Sequence, residues 1–584
     1  MYQAGISKTE MEIYFPGVGL LGYGRAFNVI QDKLTPLYAR TAYFSETESG
    51  HRFVFVNCEL AFTTDIVRVE VMRRLREANP DILPEDAQLM ITSQHTHSAP
   101  GGFSHHPFYN FTTPGFRPEV FEGVIAGITK SILGAYSNQQ PVQIKYAKGE
   151  FEPDIDVAFQ RSLRAYNKNP EVKKRKPTEM HLALDRTMDL LRIDALDGKP
   201  LGQINFFGVH TTSLGNKVNK MGSDNKGYAA SFFEEEIGDG FVAIFAQKVA
   251  GDVSPNYHGR IQGKKKKYPW SKGPYRSDVD NAMFNGRLQY YKAKEIWDTA
   301  SKSEKLSGGM DSELVSHDFS NVKVHPDFAF GREDAETTYA CHGMAFLNGT
   351  PVDGKGAGLF VNMLGIFCSN LIKYGEKGMG IFKSKEYRYE VNKKYRLQHP
   401  KNIVFETGRG ILLGTNLIDK IIFPKFIEKG IGEMKSEYKK GALREYPWTS
   451  HILPIQLSRL GNICFVGFPG ELTTVAGIRL EKMLLEELKP AGIDHVIIAS
   501  YANNYLGYCT TWEEYQAQCY EGGHTVYGQW THAAFMTEYR KLAREFVRHK
   551  ESRELQRELK YHQFSEKELT IRTFQEKAKK KARK

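Results

Sequence analysis

Short apolar runs alternate with segments of helical periodicity along most of this chain, and this alternation restricts the possible folds more than any other feature. Runs of four or five mainly apolar residues are typical of buried strands, and they lie at 53–56, 89–92, 241–245, 463–466 and 496–499. Residues 472–488 space their apolar side chains by three and four, which predicts an amphipathic helix. Residues 190–195 and 203–207 flank an Asp-Gly turn and are predicted to pair. The pattern predicts an α/β fold with a mixed central sheet flanked by helices.

The length of 584 residues allows two to four domains, or one large catalytic domain with additions. We expect a catalytic unit over residues 1–530, followed by a short, charged helical tail with a disordered end over residues 531–584. Residues 256–330 are polar, basic and rich in glycine, which predicts surface connections around one helix near 287–299.

The net charge of +11 comes partly from two basic runs, at residues 264–267 and 577–584. These runs are either solvated segments or a means of contact with anionic lipid headgroups, to which each basic residue near the surface contributes about 1 kcal/mol. The sequence contains no zinc finger, RNA-recognition signature or basic region followed by heptads, so we do not expect a nucleic-acid partner.

Six cysteines without a Cys-x-x-Cys pair argue against a disulfide framework or a cysteine-rich zinc site. No signal peptide is visible at the start, and no run of 18 apolar residues predicts a membrane span. The protein is therefore intracellular, or secreted or periplasmic if the sequence begins after a removed signal.

Candidate metal ligands follow the predicted strands. His95 and His97 come after the strand at 89–92, and side chains two residues apart on an extended segment share one face. Two imidazoles on one face suit a zinc ion, although the pair by itself also fits hydrogen-bonded loop histidines.

Three more strand ends carry polar residues, which matters because ligands of open α/β sheets bind beyond the carboxyl ends of the strands. His210 follows the strand at 203–207, Ser254 lies in Gly-Asp-Val-Ser-Pro-Asn, and Glu471 precedes the predicted helix. Each has an ordinary structural alternative, namely a core histidine, a turn serine and an acid in a first helical turn. Two histidines and one carboxylate together match a hydrolytic zinc site.

Five longer motifs occur in a defined order along the chain. They are His95-Thr-His-Ser98, Ser-Asp-Asn-Lys-Gly-Tyr-Ala-Ala at 223–230, Gly-Asp-Val-Ser-Pro-Asn at 251–256, Phe-Pro-Gly-Glu at 468–471 and Thr-Thr-Trp-Glu-Glu-Tyr-Gln-Ala-Gln at 510–518. Over roughly residues 4–530 the sequence resembles the neutral/alkaline, non-lysosomal ceramidases.

This resemblance implies a zinc-dependent amidase that cleaves ceramide into sphingosine and a fatty acid. Carried over position by position, the family's zinc ligands match His95, His210, Glu471 and Tyr508, with one ion per chain.

The resemblance also implies the residues that act on the substrate. His97 matches the acid or base beside the metal, and Ser254 matches the serine assigned as nucleophile, with a zinc-bound water as the competing attacker. Arg161 and Tyr520 match groups that hold the substrate or its developing oxyanion.

The sequence departs from the family pattern at several places. It has His97-Ser-Ala-Pro-Gly where the family has His-Ser-Gly-Pro-Gly, and Val209-His-Thr-Thr-Ser-Leu where the family has Thr-His-Gly-Thr-Ser-Met. The basic run near residue 264 replaces a cysteine-flanked loop, and the β-sandwich that ends many members has no counterpart. The lipid substrate and the approach to a membrane are therefore open.

Three alternatives remain at the level of sequence. The first is a zinc amidase for another N-acyl lipid or amine, since fold and motifs do not fix the substrate. The second is a non-catalytic lipid-binding protein, which the complete ligand set disfavours. The third is a metal phosphoesterase, which the lack of an Asp-rich ligand set disfavours.

Overall fold

The computed structural model describes residues 1–25, 28–113, 115–256, 272–350, 352–420, 429–557 and 561–574. Both basic runs, at 264–267 and 577–584, lie outside the described residues. All the predicted strands and the predicted helices at 287–299 and 472–488 are present, the latter as Asp278–Ala300 and Thr474–Leu488.

The larger of two main sheets has eight strands within the described part of the chain. In spatial order they are Val242–Ala246, Pro200–Phe206, Thr187–Ala195, Gln140–Glu150, Tyr2–Glu10, Tyr38–Glu46, Arg52–Cys58 and Leu89–Ser93. The two outermost pairs are parallel and the inner pairs are antiparallel. The predicted hairpin is the antiparallel pair Thr187–Ala195 and Pro200–Phe206.

The smaller sheet is also mixed. It consists of Met310–Asp318, Ile452–Leu460, Ile463–Gly467 and His495–Ala499, in that spatial order. The first three pair in antiparallel fashion, and the last two run parallel. The sequence did not predict the strand Met310–Asp318, which lies in the segment expected to form surface connections.

The two sheets pack face to face, which differs from the single central sheet that the sequence predicts. Phe53 and Phe55 point from the larger sheet toward the smaller one, and the Phe55 and Phe465 ring centroids lie 6.3 Å apart. Val54 and Val56 point to the opposite face, beneath helices. Because both faces of these strands are buried, their sequence does not distinguish a covering helix from a covering sheet.

Helices cover the outer face of each sheet. Asp65–Ala78 and Pro118–Ser137 lie over one half of the larger sheet, while Asp224–Ile237 and Asp278–Ala300 lie over the other half. Thr474–Leu488 and Thr531–Phe546 lie over the smaller sheet. The molecule is thus a mixed α/β structure with four layers.

The helix Thr531–Phe546 is part of this core, although it lies within the stretch that the sequence assigns to the tail. Phe535 and Tyr539 are fully buried, and the Phe535 ring stacks on Phe319 at 3.9 Å. Farther along, Glu566–Arg572 is a short helix whose Arg572 is buried. The division of the chain into a catalytic unit and a tail stays a prediction.

Shorter elements surround the sheet ends and carry the loops of the candidate site. The short helices are Leu163–Tyr166, Met344–Leu347, Trp512–Ala517 and Tyr520–Gly523, and the longer ones are Leu359–Met379, Lys385–Leu397 and Lys429–Lys439. Short strands pair as Phe159–Gln160 with Val253–Ser254, Glu471–Leu472 with Tyr508–Cys509, Gly349–Thr350 with Gly354–Lys355, Asp32–Lys33 with Lys220–Met221, and His342–Gly343 with Ile403–Glu406 and Ile411–Leu412. None of the helices in the described ranges combines the length and the apolar composition that a membrane span requires.

Candidate active site

The predicted ligands converge because the carboxyl ends of several strands meet where the two sheets join. His95 follows Leu89–Ser93, and His210 follows Pro200–Phe206. A parallel bridge between Thr96 and Thr211 holds these two loops together. Glu471 and Tyr508 follow neighbouring strands of the smaller sheet and are aligned in the parallel pair Glu471–Leu472 with Tyr508–Cys509.

The backbone and ring of His95 are both fixed by carbonyl groups. His95 has a φ of 71°, an uncommon conformation for a residue other than glycine. The Leu60 carbonyl accepts from the backbone N–H groups of His95 and Thr96, at 3.0 and 3.1 Å, and thereby holds this strained turn. The Nδ1 atom donates to the Ala61 carbonyl at 2.5 Å, which leaves Nε2 unprotonated and directed into the site.

The ring of His210 is oriented in the same manner. Its Nδ1 atom lies 2.6 Å from the Ala250 carbonyl and 3.1 Å from the Val253 carbonyl. These acceptors require the proton on Nδ1, so Nε2 presents a lone pair. The ring is fully buried.

The Glu471 carboxylate faces both imidazoles. Its Oε1 lies 3.3 Å from His95 Nε2, and its Oε2 lies 3.1 Å from His210 Nε2. Within the described part of the chain, Oε2 accepts no hydrogen bond, while Tyr505 donates its hydroxyl proton to Oε1.

These groups fit a metal ion. The Nε2 atoms of His95 and His210 and the carboxylate oxygens of Glu471 are electron-pair donors that point into one buried space, which is the arrangement that a metal ion requires. Burial lowers the pKa of His95 to about 4, so the imidazole is neutral and available as a ligand near pH 7. The ligand atoms of His95, His97 and His210 all lie within 4.8 Å of one another.

Tyr508 lies at the edge of this donor set. Its hydroxyl is 3.3 Å from His210 Nε2 and accepts a hydrogen bond from Arg161 Nη2 at 2.9 Å. Burial and the charge of Glu471 raise the pKa of Tyr508 well above its usual value. Both His97 and Tyr508 therefore lie beside the His95–His210–Glu471 triangle.

His97 is buried beside the triangle and retains an unused nitrogen atom. Its Nε2 lies 3.0 Å from His95 Nε2, and its Nδ1 has no hydrogen-bond partner among the described residues. Gly22 allows this position, because a Cβ atom at residue 22 would come within 2.4 Å of the His97 ring. Burial lowers the pKa of His97 well below its usual value.

Ser254 belongs to a second cluster, organised around the buried carboxylate of Asp353. Asp353 Oδ1 accepts from Ser254 Oγ at 2.7 Å, from Asn256 Nδ2 at 2.7 Å and from Thr212 Oγ1 at 3.0 Å. Burial would raise the pKa of Asp353, but Arg161 and the other donors lower it below its usual value. Asp353 thus fixes the direction of the Ser254 hydroxyl.

Arg161 links the two clusters. Its Nη1 donates to Asp353 Oδ2 at 3.0 Å, and its Nη2 donates to Tyr508 and to the Gly251 carbonyl. Its Nε donates to Glu521 Oε1 at 2.9 Å. Each nitrogen of the Arg161 guanidinium group therefore donates a hydrogen bond to a group of the site.

Tyr520 is the predicted site residue whose polar group is least constrained by hydrogen bonds. It is half-buried, and within the described ranges its hydroxyl makes no hydrogen bond to the protein. The Arg161 guanidinium lies 5.6 Å from its ring centroid. Burial raises the pKa of Tyr520, so the phenol keeps its proton and can donate it in a hydrogen bond.

The structure thus brings all eight predicted site residues into one region, and it adds residues that the sequence interpretation missed. These are Asp353, Glu521 and Tyr505, together with His524, whose two ring nitrogens are buried without a partner within the described chain. Asp353 lies in an Asp-Gly turn, which predicts only a turn. Glu521 follows Tyr520 directly in the sequence, and this adjacency is the one sequence signal that points to Glu521.

Comparison with known proteins decides the family. The model of the family described as neutral/alkaline non-lysosomal ceramidase, N-terminal, matches residues 2–537. The chain belongs to the neutral/alkaline ceramidase family. A neutral ceramidase of Pseudomonas aeruginosa is 32% identical over 536 residues, which cover 91% of this chain and 70% of that protein. Neutral ceramidase B of Dictyostelium discoideum is 31% identical, covering 94% and 72%.

Solved structures of this family share the fold. The crystal structure of neutral ceramidase from Pseudomonas aeruginosa superposes with a TM-score of 0.73 at 30% identity and covers 94% of this chain and 74% of that one. A structure described as ceramidase complexed with C2 gives a TM-score of 0.75 at 30% identity, covering 93% and 75%.

Proposed function

We propose that this protein hydrolyses the N-acyl amide bond of ceramide to sphingosine and a free fatty acid, with one zinc ion held by His95, His210, Glu471 and Tyr508. The observation that carries the proposal is the convergence of two unprotonated, buried imidazole nitrogens on the Glu471 carboxylate in a member of the ceramidase family. A donor set of two histidines and one carboxylate suits a hydrolytic zinc site.

When bound, the zinc ion supplies Lewis acidity to the amide carbonyl and lowers the pKa of water beside it. The protein holds its ligands rigidly, since carbonyl groups fix both histidine rings and Tyr505 fixes the carboxylate. Arg161 holds Tyr508 in place through its hydroxyl.

His97 moves a proton in this proposal. Amide cleavage requires removal of a proton from the attacking group and delivery of one to the departing nitrogen. His97 lies against the ligand triangle at His95 Nε2, and its Nδ1 has no hydrogen-bond partner among the described residues, so the ring retains a nitrogen atom through which a proton can be exchanged.

Tyr520 donates to the carbonyl oxygen as negative charge develops on it. Its hydroxyl is protonated and makes no hydrogen bond within the described ranges, which are the properties required of an oxyanion donor. Arg161 contributes positive charge beside it and orients Tyr508, rather than donating freely.

Two groups are candidates for the attacker, Ser254 Oγ and a water molecule. The surroundings of Ser254 favour water, because its hydroxyl donates to Asp353, a carboxylate whose lowered pKa makes it a weak base. In that case Ser254 orients the substrate. If Ser254 attacked instead, the fatty-acyl group would become ester-linked to the Ser254 hydroxyl.

The test is fatty-acid release from a fluorescent short-chain ceramide by zinc-loaded protein. We expect activity in the wild type and its loss in His95→Ala, with His325→Ala, a half-exposed histidine, as the matched control. Ser254→Ala measures the role of the hydroxyl, and mass spectrometry of the stopped reaction detects or excludes an acyl group on Ser254.

A panel of N-acyl amines assayed in parallel distinguishes the substrate class. If ceramide is the poorest substrate while His95→Ala still abolishes amide cleavage, the metal amidase stands and ceramide is the wrong substrate. If the wild type cleaves no amide and contains no zinc, the non-catalytic alternative replaces the proposal.

We also infer that the basic run at 577–584 assists contact with anionic membranes, because basic residues gain energy near anionic lipids. Removal of residues 575–584 should weaken binding to phosphatidylserine-containing vesicles, most strongly at low salt, where screening is weakest. Unchanged binding at low salt would refute this role.

A further inference from the structure

The helix Leu359–Met379 exposes a continuous apolar stripe. Its large side chains at spacings of three and four point into solvent, and most of them are more than half exposed. The members of the stripe are Phe360 (74% exposed), Met363 (55%), Leu364 (49%), Phe367 (64%), Leu371 (63%) and Tyr374 (68%). The turn after the helix adds Ile381 at 70% and Phe382 at 90%. Contiguous exposed apolar surface of this kind marks an interaction site.

The charges around this stripe are distributed unevenly. Residues 359–372 include no charged side chain, and residues 373–397 contain eight basic and three acidic ones. Glu376, the acid within the helix, faces inward, where it accepts from Lys394 Nζ at 2.6 Å and from the Tyr395 hydroxyl at 2.9 Å. The outward face of the helix is therefore apolar, with lysines at its carboxyl end.

The helix is continuous with the candidate active site. It begins a few residues after Asp353, at the end of the hairpin Gly349–Thr350 with Gly354–Lys355. Gly365 packs so closely on the Met344 thioether that a Cβ atom there would lie 2.3 Å from the sulfur. From the same short helix as Met344, the Phe346 ring stacks on Tyr520 at 5.6 Å. The helix that carries the stripe thus packs on the short helix Met344–Leu347, whose Phe346 contacts Tyr520.

We propose that the stripe of Leu359–Met379 is a membrane-docking surface that lies flat in the headgroup region of a phospholipid bilayer. An interfacial helix combines an aromatic and aliphatic face with lysines at its border, and its apolar face buries below the headgroups. The basic excess of residues 373–397 complements the anionic phosphate groups of the lipids. The docking proposal depends on the proposed function in one respect only, namely that docking would bring Tyr520 close to a lipid substrate.

The test is co-sedimentation of zinc-loaded protein with phosphatidylcholine vesicles that contain no ceramide, at high salt. We compare Phe360→Gln/Phe367→Gln with the matched control Leu196→Gln/Tyr291→Gln, two apolar residues that are 54% and 62% exposed elsewhere. The stripe variant should partition into the vesicles at least about tenfold more weakly, since it loses two aromatic side chains that the bilayer would bury. The control should bind like the wild type. High salt removes the contribution of the basic runs.

A second measurement retains the apolar character of the stripe. Phe367→Trp should show strong fluorescence quenching by brominated phosphatidylcholine, whereas Tyr291→Trp should show none. Equal quenching at both positions, or wild-type partitioning of the glutamine variant, would overturn the proposal.

The readouts separate this proposal from the proposed function. Hydrolysis of dispersed short-chain ceramide should be unchanged in the stripe variant, because its substitutions lie outside the site. Loss of vesicle binding with normal hydrolysis supports docking. If the wild type is instead a dimer that the glutamine variant converts to a monomer, without any change in vesicle binding, the stripe contacts a second copy and the proposal fails. Absence of hydrolysis in every variant would count against the proposed function alone.

Discussion

Two buried carboxylates, Glu471 and Asp353, belong to the two clusters that Arg161 links, and they differ in what surrounds them. Glu471 is 1% exposed and faces two imidazoles with unprotonated nitrogens, and its Oε2 accepts no hydrogen bond within the described residues. Asp353 is 5% exposed, and both of its oxygens accept hydrogen bonds from side chains of the site.

The difference shows which carboxylate needs a cation. A buried carboxylate is stable when donors or a metal compensate its charge. The protein itself compensates Asp353, so it serves as a rigid acceptor that aligns Ser254 and Arg161. Glu471 lacks such compensation on Oε2, so it fits the role of a metal ligand.

The largest effect should come from Glu471→Gln, which removes the charge that faces the two histidines. We expect zinc content to fall below one ion per chain and activity to fall on the order of 10³-fold or more, because the Lewis acid is lost. Zinc analysis of purified protein checks this, with Glu486→Gln, an exposed glutamate, as the control. Full zinc occupancy in Glu471→Gln would remove the distinction between the two carboxylates.

Asp353→Asn should reduce activity about 10²-fold while leaving zinc content unchanged. The variant keeps the shape of the side chain but removes the charge that Arg161, Ser254 and Asn256 share, so the site loses its alignment. Parallel kinetics and zinc analysis, beside the exposed control Asp197→Asn, test this. Loss of zinc from Asp353→Asn would show that the two clusters are one unit.

Tyr505→Phe should weaken zinc affinity about 10- to 100-fold, since it removes the hydroxyl that orients Glu471. Competition with a chelator measures this affinity. Tyr109→Phe is the matched control, because the Tyr109 ring packs edge-to-face on Tyr505 with centroids 5.1 Å apart, while its hydroxyl makes no hydrogen bond within the described chain. Equal affinities for the two variants would contradict the orienting role.

The smallest effect is expected for Thr350→Val, which removes a hydroxyl that donates to Asp353 Oδ2 at 3.3 Å and accepts from the Asp353 backbone N–H at 3.1 Å. Because both contacts are long, we expect a loss of about two- to tenfold in activity, the value of one net hydrogen bond. Thr350→Ser, which retains the hydroxyl, should behave like the wild type in the same assay. An effect as large as that of Asp353→Asn would mean that the turn itself, and not its charge, aligns Ser254.

Local features of the fold could be predicted from the sequence, and the arrangement of layers could not. The run at 463–466 predicts a strand, and Ile463–Gly467 is one. The stacking of the two sheets depends on long-range contacts such as Phe53 with Phe465, which no local pattern contains. In the helix Asp65–Ala78, a spacing of three from Ile66 would place Val69 on the buried stripe, but Val69 is 39% exposed, while Val67 and Val71 are buried.

The candidate site divides in the same way. His95, His210 and Glu471 could be predicted because each directly follows a recognisable strand, and Tyr508 was found through the family motif alone. Asp353 could not be predicted, because its importance comes from the donors that gather around it from residues 161, 254 and 256. An aspartate in an ordinary surface turn, hydrogen-bonded only to solvent, would have the same local sequence as Asp353.

The order of the site residues along the chain determines how late in synthesis the set of donor atoms becomes complete. The donor atoms come from residues 95, 210, 471 and 508, so a nascent chain on the ribosome presents only two imidazoles until most of the polypeptide has been made. With the proposed ligand set, metal uptake would thus be a late event in maturation, and a prematurely terminated product ending before Glu471 would lack the carboxylate. Occupancy of the proposed centre would report that both sheets have come together, because each supplies part of it.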